Sequence, residues 1–157
     1  MLRSNSTRTV ILAGIFIALV IVVIEGLLIS DEERLEQHLD ALKDSFASGE
    51  VDSVDALLAD DFAFAGQRPV GEGDRAESLR RIKEFWKDTT EPSLSWRPTQ
   101  LVVEGAVGRI EVSGTVRFRY VDSLVVYRLD AVMVWSRAGE EWRLRRLDVP
   151  LMRPGIL

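Results

Sequence analysis

Residues 107–137 read VGRIEVSGTVRFRYVDSLVVYRLDAVMVWSR, and the alternation in this stretch decides the fold. From Val107 to Tyr120 the even positions Ile110, Val112, Val116, Phe118 and Tyr120 are apolar or aromatic. The odd positions Arg109, Glu111, Ser113, Thr115, Arg117 and Arg119 are polar. A period of two is that of an extended strand with one dry face. From Leu124 to Arg137 the parity reverses, with Val125, Tyr127, Leu129, Ala131, Met133 and Trp135 apolar. A tight turn around Asp122-Ser123 pairs even with odd, so both apolar sets fall on one face of an antiparallel hairpin. A further reversal at Ala138-Gly139 leads into a strand over Glu140–Val149, placing Trp142 opposite Trp135 and Leu144 opposite Met133. Upstream, Ser95–Val103 and a turn at Gly105 add a fourth strand. Short connections make the set an antiparallel meander, because parallel neighbours need long crossovers.

The second face of this sheet is mixed. Leu124, Val126, Val132 and Val134 surround Arg128 and Asp130 there, and the register places Arg117 opposite Arg128. A strand apolar on both faces is normally covered on both. A partner subunit is the natural cover, so a homodimer through the sheet is expected, with Arg117, Arg128 and Asp130 as an ion cluster in its interface. With the faces reversed, the same trio becomes an anion-binding or acid–base site.

Before the strands the period is helical. Leu35, Leu39, Leu42 and Phe46 form one stripe in a helix capped by Ser30 or Asp31 and stopped at Gly49. A short helix fits Val51–Leu58, and a third fits Asp74–Lys87 with Leu79, Ile82 and Trp86 on one face. Between them lie Asp60-Asp61-Phe62-Ala63-Phe64 and a turn-rich loop from Gly66 to Gly73.

The first 29 residues are of another kind. Val10 to Ile24 carries no polar side chain, and after Glu25 the apolar run resumes to Ile29. About twenty helical residues span roughly 30 Å, the hydrocarbon thickness of a bilayer. The predicted organisation is a cytoplasmic tail over 1–8, a single transmembrane helix over 9–29, and an outer domain over 30–157. Arg3 and Arg8 before the span, against Asp31, Glu32 and Glu33 after it, put the N-terminus in the cytoplasm. In a bacterium the location is the inner membrane, with the domain outside. A cleavable signal peptide is the rival reading, but Leu28 stands where cleavage wants a small residue.

The domain over 30–157 holds 18 basic and 24 acidic residues, a net charge of −6. That balance argues against nucleic acid as a partner. The chain has no cysteine and one histidine, which excludes thiolate and multi-histidine metal sites, and no metal or cofactor is expected.

Three helices followed by a long antiparallel sheet resemble the nuclear transport factor 2-like superfamily, in particular its SnoaL-like branch. The resemblance rests on Phe46-Ala-Ser-Gly-Glu, Leu57-Leu-Ala-Asp-Asp-Phe-Ala-Phe, the pair Phe85-Trp86 and the late Glu141-Trp-Arg-Leu144, in that order along about 31–149. It implies an α+β cone, with three helices packed on a curved four-stranded antiparallel sheet, a pocket at the wide end, and often a dimer through the outer sheet face. It implies no single activity, since isomerases, cyclases, hydrolases and non-catalytic assembly domains share the fold.

Candidate site residues follow from this layout. Asp61, Asp130 and His38 are the acid–base candidates. His38 also reads as a boundary residue beside the Leu35–Leu42 stripe, and Asp61 as a turn residue. Phe62, Phe64, Trp86, Tyr120 and Trp135 are the expected pocket aromatics, unless they simply fill the cone as core. The leading expectation is a membrane-anchored, non-catalytic interaction or assembly module, held to the lipid bilayer and open to a membrane-protein partner. The alternative is a small-molecule binder or metal-independent isomerase, cyclase or hydrolase with an apolar cone pocket. An open cavity favours the alternative, and a cone plugged by Trp86, Trp135 and Phe64 excludes it.

Overall fold

Ser30 begins the first element through a reciprocal cap: its Oγ accepts from the Glu33 amide at 3.2 Å, and its own amide donates to Glu33 Oε2 at 3.2 Å. A computed structural model describes residues 29–68 and 70–155. The predicted tail and all of the predicted anchor except Ile29 lie outside the described residues. Among the described residues no helix is long and apolar enough to cross a membrane.

Helix α1 (Asp31–Ser48) buries Leu35, Leu39 and Leu42, as the stripe predicts, and ends where Gly49 turns left-handed at φ +73°. Each of those leucines contributes about 1.5–3 kcal/mol by leaving water. Helix α2 (Val51–Leu57) follows, then strand β1 (Leu58–Gly66), strand β2 (Glu72–Asp74) and helix α3 (Arg75–Asp88). The long strands are β3 (Thr89–Glu104), β4 (Val107–Tyr120), β5 (Ser123–Ala138) and β6 (Glu141–Pro154).

The sheet has six strands in the order β2-β1-β6-β5-β4-β3, and it is mixed, which corrects the expected four-stranded antiparallel meander. β1 lies parallel to β6, Phe64 facing Leu147 and Ala63 facing Arg146. The difference has a physical cause. Turn residues announce only antiparallel neighbours, whereas β1 finds its partner across some eighty residues of chain and carries a solvated Asp60-Asp61 pair that hides its strand character.

Parity holds along β4 and β5, while bulges in β3 and in the β5–β6 pairing switch the inward positions of β3 and β6, and both hairpin registers shift. Tyr120 pairs with Ser123, so the first turn is Val121-Asp122, and Arg117 faces Val126 while Thr115 faces Arg128. The second turn is Gly139-Glu140, with Gly139 at φ +66°, so Trp142 lies opposite Arg137 and Leu144 opposite Trp135. Moving a turn by one residue moves partners by two and keeps every side chain on its face. Ile110, Val112, Met133, Trp135, Trp142 and Leu144 accordingly meet Leu35 in a core where each is at most 2% exposed.

Two polar contacts orient α1 on this core. Arg137 donates to both carboxylate oxygens of Asp31 at 2.8 Å, and Trp142 Nε1 reaches Asp31 Oδ1 at 3.4 Å. The start of α1 is thereby fastened to the β5–β6 end of the sheet.

Candidate functional site

The inner sheet face and the helices do not meet everywhere. Between α1, α3 and the sheet lies a cavity of about 470 Å³, walled by apolar side chains. Leu42 and Phe46 of α1 close one side, Ile82 and Phe85 of α3 another, and Val116, Ala131 and Met152 of the sheet form the floor. Its size falls in the range of about 300–1,000 Å³ found for small-molecule sites.

Three polar side chains reach this apolar wall: Ser78 and Arg81 from α3, and Tyr127 from β5. Arg81 is fully committed to the protein. Its Nε donates to Glu77 Oε1 at 2.6 Å, one terminal nitrogen donates to the Val70 carbonyl and the other to the Glu72 carbonyl at 3.5 Å. The guanidinium also lies 5.1 Å from the centre of the Phe64 ring, a cation–π contact. Arg81 thus pins the segment before β2 over one end of the cavity. Glu77 holds Arg80 as well, at 2.7 Å, and the two arginines, Arg80 first, pull its carboxyl from an ordinary 4.5 down to about 2. Gly73 completes this cover, since a Cβ there would stand 2.7 Å from the Phe64 ring and from Glu77 Cγ.

Of the five expected pocket aromatics only Phe64 lines the cavity. Phe62 stacks behind it at 6.5 Å within the core, and Trp135 is 0% exposed beneath α1. Trp86 turns its indole N–H to the Phe46 carbonyl at 3.1 Å. Tyr120 stands 52% exposed at the end of β4. Tyr120 pairs with Ser123 beside the hairpin turn and so stands at the edge of the sheet, whereas Tyr127 sits within it.

The acid–base candidates do not converge. His38 donates from Nδ1 to the Arg34 carbonyl at 2.7 Å and sets its ring edge-on to Trp135, 5.8 Å between centres. Asp61 is exposed and pairs with Arg145 at 2.8 Å. Asp130 lies on the opposite face of the sheet and accepts from Ser113 Oγ at 2.6 Å. Arg117 and Arg128 share that outer face, but in different rows. Among the described residues no group of acidic and histidine side chains is placed to hold a metal ion.

Sequence reasoning missed Ser78, Arg81, Phe85, Trp96 and Phe118 as cavity residues. A signal for four of the wall positions was present: Ser78, Arg81, Ile82 and Phe85 follow the i, i+3, i+4, i+7 spacing of one helix face. Arg81 interrupts that face with a charge, which is the mark of a residue with a specific partner.

The model of the SnoaL-like domain matches residues 36–145. None of the curated proteins matches the chain. Among solved structures, a conserved protein from Planctomyces limnophilus has TM-score 0.73 at 14% identity, covering 79% of this chain and 97% of its own. A nuclear transport factor 2-like superfamily protein from Salmonella enterica serovar Typhimurium has TM-score 0.67 at 13% identity, covering 76% and 91%. A candidate aromatic ring hydroxylase from Novosphingobium aromaticivorans has TM-score 0.63 at 12% identity, covering 80% and 93%. Helices closed over one face of a curved sheet around an apolar cavity, together with a family match over residues 36–145, make this protein a member of the SnoaL-like family with the nuclear transport factor 2-like fold.

Proposed function

We propose that the domain is a binding module for an apolar small molecule, held in the cone and not chemically changed there. The cavity's lining carries the reading. It offers a large apolar surface, the hydroxyls of Ser78 and Tyr127 to orient a ligand, and neither a carboxylate nor an imidazole for general acid–base work. The one charged group at the wall, Arg81, is already engaged by Glu77 and two carbonyls. The predicted anchor over 9–29 would hold the domain at the outer surface of the membrane, where apolar compounds partition. The SnoaL-like fold also serves enzymes and assembly domains, so the reading rests on this lining and not on kinship.

The test uses the full chain in a non-ionic detergent and a trifluoromethyl-substituted naphthol followed by fluorine NMR. A saturable bound resonance is expected, absent in Ala131→Trp, which fills the cavity from its floor. A resonance unchanged by that substitution, or none in the unsubstituted chain, would sink the proposal. Membrane placement is checked separately by fusing alkaline phosphatase after Leu157: activity in intact cells is expected, and its absence overturns the N-inside orientation.

A further inference from the structure

On the sheet face turned away from the helices, the register builds a grid of eight residues. One row runs Arg97, Ser113, Asp130, Leu151 across β3, β4, β5 and β6, and the next runs Ser95, Thr115, Arg128, Arg153. These residues line a groove of about 440 Å³. Its charge is out of keeping with the domain: three arginines and one carboxylate stand together on a domain of net charge −6.

Among the described residues the three arginines have no carboxylate partner. Arg97, Arg128 and Arg153 take part in none of the ion pairs among the described residues, while Arg109, Arg119 and Arg146, also on this side of the sheet, each hold a carboxylate. Asp130, the carboxylate within the grid, is held by the Ser113 hydroxyl at 2.6 Å and not by an arginine. Arg128 and Arg153 are direct cross-strand partners. Like charges in that position, with Cβ atoms about 5 Å apart, destabilise a sheet unless something neutralises them. Strand and residue spacings place Arg97 about 12 Å from Arg128 at the backbone, a gap two arginine side chains close between them. Ser95 and Thr115 add hydroxyl donors between the arginines.

A second copy of the chain is a poor neutraliser. An isologous two-fold contact would bring together two grids that each carry three arginines against one carboxylate, leaving positive charge in excess. What fits is a compact ligand with several oxygens and more than one negative charge, because the planar fork of arginine binds phosphate-type oxygens in pairs.

We propose that the grid of Arg97, Arg128 and Arg153 with Ser95 and Thr115 is a binding site for a soluble phosphate-bearing ligand, on the opposite side of the sheet from the cone cavity. The site stands independently of what the cone holds. Asp130 borders it, which favours ligands whose charge is concentrated toward the Arg128–Arg153 end.

Pyrophosphate is the probe, titrated by calorimetry into the full chain in non-ionic detergent against sodium chloride of equal ionic strength. Saturable binding of one pyrophosphate per chain is expected. The double variant Arg128→Gln/Arg153→Gln should bind at least about tenfold more weakly, and Arg97→Gln should weaken binding by a smaller factor. Arg109→Gln, on the same face but farther along β4 and already paired with Glu111, should stay within about twofold of the unsubstituted chain, since only screening is altered. Melting temperatures no lower than that of the unsubstituted chain show that the variants are folded, and the double variant should melt higher because it removes the Arg128–Arg153 repulsion. A response that chloride reproduces, an undiminished affinity in the double variant, or an equal loss in Arg109→Gln overturns the site.

Discussion

The two faces of the β4–β5 hairpin are made from alternate residues of the same strands, yet they are built on opposite physical terms. The inner face holds Ile110, Val112, Met133 and Trp135 almost wholly out of water beneath α1. The outer face, made from the intervening residues, holds Ser113, Thr115, Arg128 and Asp130 in an open groove, with Leu124 44% exposed nearer the turn. On the inner side position is set by packing, where every methylene is felt. On the outer side it is set by register, which places charges in rows without burying them. The inner face therefore carries stability, and the outer face can be altered with little effect on folding.

The sharpest way to break this contrast is to truncate neighbouring residues of β5. Trp135→Ala should cost about 3–5 kcal/mol in a urea melt followed by tryptophan fluorescence, because it empties the centre of the core. Val134→Ala, on the other face, should cost no more than about 1 kcal/mol, the scale of a partly buried methyl pair. Comparable losses at the two positions would show that the outer face is covered after all, as the sheet-mediated homodimer would require.

Next in size is the cover of the cavity. Gly73→Ala drives a methyl against the Phe64 ring and Glu77, and overpacking of this kind costs about 1–3 kcal/mol. In the fluorine NMR titration it should weaken the naphthol more than it lowers the melting temperature would suggest, since the displaced ring belongs to the cavity wall. If stability falls and binding does not, Phe64 is core and not cover.

A smaller effect lies at the tip of the hairpin. Val121 holds φ +56°, a left-handed conformation that is costly for a β-branched residue. Val121→Gly should raise stability by about 1 kcal/mol, the part of the 1–2 kcal/mol left-handed penalty that survives glycine's greater chain entropy. A loss on this substitution would mean that the exposed valine side chain makes a contact worth more than its strain.

The smallest effect is electrostatic and depends on pH. Glu77 is held ionised by Arg80 and Arg81, with its carboxyl pulled down to about 2. A depressed carboxyl adds stability that is fully present above its ordinary value of 4.5 and is lost as pH falls toward 2. Stability measured across that window should decline less steeply in Glu77→Gln than in the unsubstituted chain. Equal slopes would show that the exposed pairs are screened to nothing.

Much of this was legible in the amino-acid order, and the reason is locality. Helix α1 was readable from Ser30 to Gly49 because its cap, its stripe and its stop act within a few residues of chain. The faces of β4 and β5 were readable because parity survives any even shift of register. The acidic balance and the apolar run before Ile29 are properties of the chain itself. Only the tertiary structure decided that β1 joins β6 in parallel, since no local residue encodes a partner eighty positions away. It alone decided that the hairpin turns sit on Val121-Asp122 and Gly139-Glu140, which put Tyr120 at the edge of the sheet and moved Arg117 out of the row of Arg128. It also decided that the cone is open, because a cavity is the difference between the space the backbone encloses and the volume the side chains fill. That difference exists only once helices and sheet are placed against each other.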